Sequence, residues 1–243
     1  MIVVLPAYNE ARSLSLLLPR LDQVLREDAI DYEIVVVDDG STDGTAGVVG
    51  EHARYLPVHL ERHDSNRGLG ATIRDGLKSA VALATDEDII VVMDADNTHT
   101  PGLIRTMIRV VREGADVVIA SRYRTGSYVR GVPFHRRLLS LGARALFQTC
   151  FPTRGVRDYT CGYRAYRARV LRDAFRRYGD DFVNQQGFQC MVDILLKLRG
   201  LDLVFREVPL ILRYDLKHGA SKMNVARTIA QSVALIVRRR FRG

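Results

Sequence analysis

Short apolar runs alternate with amphipathic stretches along the first half of the chain. The runs at 2–5, 33–37, 58–60, 89–93 and 117–120 are rich in Val and Ile and too short for helices, so they read as buried strands. Between them, residues 10–26, 43–54, 69–84 and 101–112 carry helical spacing. Leu14, Leu17, Leu18, Leu21 and Leu25 give the first of these one apolar face. Thr100 and Pro101 suit the cap and first turn of the fourth. Such alternation predicts an α/β fold, a mostly parallel sheet with helices on both faces. Ligands of such sheets lie beyond the carboxyl ends of the strands.

After residue 120 the pattern changes. Residues 121–133 are polar and Gly-containing and read as a loop, 134–149 as an amphipathic helix, and DYTCGYRAYR (158–167) as a polar, aromatic turn. Helices are predicted near 168–178 and 186–199, a strand pair around 201–213, a loop at 214–222, and a last helix over 224–240 that runs into RRRFR. With no repeat and no clean linker, the predicted organisation is one domain over 1–222 and a basic amphipathic helix over 223–243.

Three predicted strands end in polar residues: PAYNE after the first, DDGSTDGT after the second and DADNTH after the fourth. Polar ends on one sheet edge make a site. Asp94 and Asp96 stand two apart, so on continued strand geometry they share a face. Two close carboxylates repel unless a cation or donors lie between them, and a divalent ion completed by phosphate oxygens asks for this pair. In the second segment Ser41 or Thr42 suits a helix cap and Asp43 the positive helix end, which leaves Asp38 and Asp39 at the strand tip. There Asp39 is placed to accept hydrogen bonds from a base or ribose. Asn66-Arg67-Gly68-Leu69-Gly70 begins like a dinucleotide fingerprint, but Ile73 holds the third glycine position, so a nicotinamide enzyme is not predicted.

Charge divides the chain. Residues 1–120 hold eleven Lys and Arg against twenty Asp and Glu, and residues 121–243 hold 25 against 8, within a net charge of +8. Residues 121–157 carry eight Arg and no acid. Arg122, Arg124, Arg136 and Arg137 flank the acidic edge, and Lys217, His218 and Lys222 form a second basic cluster. Guanidinium groups suit phosphate recognition. The six histidines show no metal-ligand spacing, although His99 lies near the acid pair as a third ligand or a bystander. Cys150, Cys161 and Cys190 form no C-x-x-C pair, and no signal peptide or apolar run of spanning length is seen. A reducing, cytoplasmic setting is expected, with peripheral membrane contact through the amphipathic stretch 224–242.

PAYNE, VVVDDGSTDGT, NRGLGATIRDGL and MDADNTH, in this order and spacing, resemble the family 2 glycosyltransferases of GT-A fold. SRY at 121–123, FHRRLLSLGARAL at 134–146, DYTCGYRAYR at 158–167 and GASK at 219–222 look like the polyprenyl-phosphate sugar transferases within it, dolichol-phosphate mannose synthase among them. The resemblance runs from residue 1 to about 223. It implies a GT-A Rossmann-like sheet and a nucleoside contact by Pro6, Tyr8, Glu10 and Asp39. It also implies Mg²⁺ or Mn²⁺ on Asp94 and Asp96, an acceptor phosphate at Arg122 and Arg137 near Ser140, and neutralisation of the leaving diphosphate by Lys222 and Lys217. Thr98 stands where relatives carry Gln, and Leu216 where they often carry Arg. Without Trp, the Q-x-x-R-W motif of processive relatives is absent.

The implied reaction moves a sugar from a UDP- or GDP-sugar to a dolichyl or undecaprenyl phosphate, with inversion. An ionised phosphate needs no strong base, whereas a hydroxyl does. The alternative is a transferase that glycosylates a small-molecule hydroxyl, with Asp158 as base. A more distant one is a nucleic-acid-binding module using the basic half, which leaves the acid pair unexplained, so no nucleic-acid partner is expected.

Overall fold

The structure, a computed structural model, describes residues 1–216 and residue 234, apart from the side chains of residues 135–137. Among the described residues the strands are β1 (Ile2–Ala7), β2 (Glu33–Asp38), β3 (Val58–Arg62), β4 (Ile89–Val92), β5 (Val117–Ser121), β6 (Tyr128–Arg130), β7 (Arg164–Arg167), β8 (Phe205–Pro209) and β9 (Ile211–Arg213). The helices are α1 (Ala11–Glu27), α2 (Thr45–His52), α3 (Leu69–Leu83), α4 (Leu103–Arg112), α5 (Phe134–Cys150), α6 (Ala168–Tyr178) and α7 (Cys190–Leu198). Seven strands form one sheet in the order β3-β2-β1-β4-β7-β5-β8. All run parallel except β7, which pairs antiparallel with both β4 and β5. The carboxyl ends of β2, β1 and β4 are therefore neighbours, and that of β5 lies two strands, roughly 10 Å, beyond β4.

The Val- and Ile-rich strands are buried on both faces, as a sheet covered by helices requires. Leu14, Leu17, Leu18, Leu21 and Leu25 bury the predicted face of α1. Helix starts differ from expectation. Neither Ser41 nor Thr42 caps α2; Asp43 does two jobs instead. Its Oδ1 accepts the Thr45 N–H at the start of α2 (3.1 Å), and its Oδ2 accepts the Ala11 N–H at the start of α1 (3.1 Å). One carboxylate thus serves two positive helix ends, and those donors hold it below the usual carboxylate range although burial pushes it up. Thr100 makes no side-chain cap either: α4 begins at Leu103, after a turn in which the Thr100 carbonyl accepts the Leu103 N–H.

The C-terminal half departs further. The polar segment read as a turn at 158–167 ends in β7, a strand at the centre of the sheet. Its Arg164 is wholly buried and donates from Nε to Cys161 O, from Nη1 to Met191 O and from Nη2 to Tyr159 O, at 2.7–2.8 Å. A cation in a core strand breaks the apolar signal, so no strand was legible there. The predicted strand pair at 201–213 splits instead. β8 joins β5 in the main sheet, while β9 pairs parallel with β6, which lies inside the stretch read as a loop. The proposed unit over 223–243 lies outside the described residues, save residue 234.

Glycines bring α3 against the turn before α7. The Gly70 N–H donates to Gln186 O (3.0 Å), and a Cβ on Gly70 would stand 1.6 Å from Gln185 O. Overpacking a tight site costs about 1–3 kcal/mol, and Gly70→Ala is expected at or above the top of that range, read as a lower urea midpoint. Gly47→Ala in α2, where nothing lies within 4 Å, is expected to stabilise by about 0.5–1 kcal/mol.

Candidate active site

The site forms where β1, β2, β4 and β5 end. PAYNE leaves β1 and is tied to the loop after β2. The Asn9 N–H donates to Ser41 Oγ (2.8 Å), the Thr42 N–H to Asn9 Oδ1 (2.9 Å), and the Glu10 N–H to Thr45 Oγ1 (2.9 Å). Glu10 also accepts the Ser13 hydroxyl (2.8 Å). Pro6, Tyr8 and Glu10 are each half-buried on this edge. Much of the DDGSTDGT motif is thus loop architecture, set by hydroxyl and carboxylate acceptors for backbone N–H groups.

Asp39, expected at the nucleoside, is buried and well supplied with donors. Oδ1 accepts the Arg67 N–H (2.8 Å) and faces His63 Nδ1 (2.7 Å), while Oδ2 accepts the Gly68 N–H (2.9 Å). The NRGLG segment therefore cradles a carboxylate of its own chain. Asp38 faces the other way: Oδ1 accepts the Ser41 N–H (3.0 Å), and Arg62 approaches Oδ2 at 3.7 Å.

Asp94 and Asp96 follow β4 directly. Asp96 is buried, and its Oδ1 accepts both the N–H (3.1 Å) and the hydroxyl (2.6 Å) of Thr98. Thr98, set where relatives carry Gln, thus orients the carboxylate. The Asp94 side chain is 48 % exposed. His99 Nδ1 accepts the Asp94 N–H (3.1 Å), which leaves the ring proton on Nε2, 3.8 Å from Asp94 Oδ2. His99 is therefore a support for the loop rather than a third ligand. It stacks on Tyr163 (4.8 Å between centroids), whose hydroxyl donates to Thr100 O (3.1 Å). Among the described residues no group of three or more His, Cys, Asp and Glu is arranged to hold a metal ion. Two hard carboxylates side by side are nevertheless the donor set for Mg²⁺ or Mn²⁺ when substrate phosphates supply the rest, so the residues fit such an ion.

Across the gap, Arg122 follows β5 and is locked on Asp158. Nε donates to Oδ2 (2.8 Å), Nη2 to Oδ1 (2.6 Å) and the backbone N–H to Oδ2 (3.1 Å). Asp158 also accepts the Thr160 (3.3 Å) and Cys161 (3.1 Å) N–H groups. Burial pushes its carboxyl up, but Arg122 and these donors overcome that and hold it below the usual range. Burial likewise works against the Arg122 cation, and the Asp158 carboxylate outweighs it and raises the guanidinium's pKa. The expectation of Asp158 as a base is corrected here: it is wholly buried and engaged by six donors, the Thr160 hydroxyl among them, with no oxygen in reach of a substrate proton. It positions Arg122, whose side chain stays 24 % exposed and whose Nη1 has no hydrogen-bond partner among the described residues.

The segment after Asp158 joins the two halves. A Cβ on Gly162 would lie 3.6 Å from Asp94 Oδ1, so this loop runs against the acid pair. Beside Arg122, the Tyr123 hydroxyl meets Ser140 Oγ (2.5 Å), and Arg144 stacks over the Tyr123 ring (4.6 Å). Both partners sit on α5, which exposes Phe134, Leu138, Leu139, Leu141 and Leu146. Arg124 is exposed outside this stack. The Arg136 and Arg137 side chains, and all of Lys217, His218 and Lys222, lie outside the described residues. Sequence reasoning missed His63, Tyr123, Arg144 and Tyr163, none of which stands in a spacing that signals its partner.

Residues 2–175 match the family model for glycosyl transferase family 2. The chain belongs to that family. It is 35 % identical over 208 residues to a dolichol-phosphate mannosyltransferase of Pyrococcus furiosus, covering 85 % of this chain and 54 % of that one, so it spans about half the relative's length. It is 33 % identical over 225 residues to a polyprenol monophosphomannose synthase of Mycolicibacterium smegmatis, covering 92 % of this chain and 80 % of that one. A Mycobacterium tuberculosis glucosyl-3-phosphoglycerate synthase, solved with Mn²⁺, UDP and phosphoglyceric acid, shares the fold at a TM-score of 0.69 and 21 % identity, over 98 % of this chain and 77 % of that one. The expected α/β, GT-A sheet of family 2 is the sheet observed, apart from the central β7 and the small β6–β9 sheet.

The Arg122–Asp158 pair makes a prediction in pH. A carboxylate with a depressed folded pKa stabilises fully above its unfolded value of about 3.9, and that stability is lost as pH falls through the lower folded value. Asp158→Asn is expected to cost about 3–5 kcal/mol near neutral pH. Its deficit against wild type, measured by urea unfolding, should shrink below about pH 4.

Proposed function

We propose that the chain transfers a sugar from a nucleoside diphosphate sugar to a polyprenyl phosphate, with inversion at the anomeric carbon. The observation that carries this reading is Arg122 held rigid beside an exposed apolar helix. A guanidinium with an outward nitrogen suits a phosphate, and α5 offers a lipid chain five large apolar side chains on its exposed surface. The names of the relatives support the same acceptor class. Among the described residues no helix is long and apolar enough to cross a membrane.

In this reading Asp39, with Pro6, Tyr8 and Glu10, holds the nucleoside, and Asp94 and Asp96 hold Mg²⁺ or Mn²⁺. The ion supplies positive charge against the leaving diphosphate. Asp158 fixes Arg122 before the acceptor arrives, so little ordering remains when the phosphate binds. The phosphate enters already ionised and needs no base. The buried Asp158 gives no support to a hydroxyl acceptor. Roles for Arg137, Lys217 and Lys222 rest on the family motifs alone.

The test is a panel of UDP- and GDP-sugars, each with and without a polyprenyl phosphate, in Mn²⁺ or EDTA. Transfer is expected only with lipid phosphate and metal, and Asp96→Asn should lower kcat by about 10²–10³-fold. Metal-dependent donor hydrolysis indifferent to the lipid would overturn the acceptor assignment. Replacing Leu138 and Leu141 by Ser should depress turnover more with a long-chain acceptor in liposomes than with a short, water-soluble one. Equal loss with both would mean that α5 does not carry the lipid.

A further inference from the structure

His63 ends the strand β3 region with its side chain 6 % exposed, and both ring nitrogens face carboxylates. Nδ1 lies 2.7 Å from Asp39 Oδ1 and Nε2 3.2 Å from Asp75 Oδ2. Both ring nitrogens thus lie within hydrogen-bond distance of a carboxylate oxygen. Asp75, on α3, accepts from Arg74 Nε (2.8 Å) and Arg67 Nη1 (3.2 Å). Burial pushes its carboxyl up, but Arg74, Arg67 and His63 together hold it below the usual range. Arg67 closes a circuit, because its backbone N–H donates to Asp39 while its guanidinium holds Asp75. Glu61, on β3, lies near this cluster, and its carboxyl is pushed up by burial and by Asp75; Asp180, paired with Lys78, also faces Arg74 and Asp75.

The circuit has one free direction. Asp39 Oδ1 takes two donors from the protein, His63 and the Arg67 N–H, and Oδ2 takes one, the Gly68 N–H. The orientation of the carboxylate is thus set from behind, and Oδ2 keeps a lone pair for an incoming donor group. The geometry points to His63 as a positioning residue for the nucleotide: Asp75 holds the ring, the ring holds Asp39, and Asp39 meets the nucleoside. This rests on the donor site proposed above and adds to it a residue that does not touch the substrate. Without the ring, Asp39 keeps its two backbone donors but loses the side-chain one, and its carboxylate is held less firmly about Cβ–Cγ.

The experiment is calorimetric titration of the full chain with UDP and with GDP in Mn²⁺, for wild type, His63→Phe, Asp39→Asn and the double variant, each checked by thermal melting. Steady-state kinetics accompany it on the preferred donor. His63→Phe is expected to weaken nucleotide binding about tenfold and to raise the donor KM by a similar factor, with a much smaller change in kcat and in the acceptor KM. The double variant should bind no more weakly than Asp39→Asn, since His63 acts through that carboxylate. Should His63→Phe fail to fold, His63→Gln, which keeps one donor, takes its place with a smaller expected loss. Full binding by the His63 variant, or losses that multiply in the double variant, overturns the inference while leaving the donor site standing. No nucleotide binding by wild type overturns the functional reading and this inference with it.

Discussion

Carboxylates that accept backbone N–H groups hold the loops of this site in place. Asp43 ties the starts of α1 and α2, Asp39 gathers the NRGLG turn, Asp96 fixes its own loop through Thr98, and Asp158 gathers the residues around it and Arg122. Glu207 on β8 accepts the Arg157 (2.6 Å) and Asp158 (2.7 Å) N–H groups from behind. Hydrogen bonds to a charged acceptor contribute about 1.5–3 kcal/mol each. Loop ends without regular structure leave many N–H groups unpaired, and these carboxylates satisfy one to three of them each. The architecture beyond the strand tips depends on that.

The same arrangement explains the uneven charge along the chain. The acidic half supplies acceptors for its own loops at the tips of β1, β2 and β4. The basic half spends guanidinium groups on backbone carbonyls at Arg164, Arg167 and Arg172, and holds Arg122 on Asp158 with its side chain partly exposed. The strand β7 stands between the two halves. The loop that leads into it passes Asp94 at Gly162 and pins Arg122 at Asp158, so one segment touches both the acid pair and Arg122.

Much of this was legible from residue order. The five early strands, the helices between them and the acidic edge follow from apolar periodicity and from polar residues at strand ends. The errors have specific causes. RAYR hides a central strand because Arg164 places a buried cation in it, held by the carbonyls of Tyr159, Cys161 and Met191, and periodicity carries no record of those bonds. The strand pair at 201–213 was misjudged because parallel pairing of β8 with β5 and of β9 with β6 leaves no hairpin signature. Asp158, offered as the base of the hydroxyl-acceptor alternative, looked available because a lone acid in a polar segment looks exposed.

Residue order by itself determined the alternation of elements, the family motifs and the edge on which the site lies, since these depend on local spacing and on which side chains avoid water. Only the tertiary structure decided what each polar side chain is for. His63 meets Asp39 and Asp75 across 24 and 12 residues, and Arg122 meets Asp158 across 36. A hydrogen bond is read from distance and direction, and neither is written in the spacing of residues so far apart.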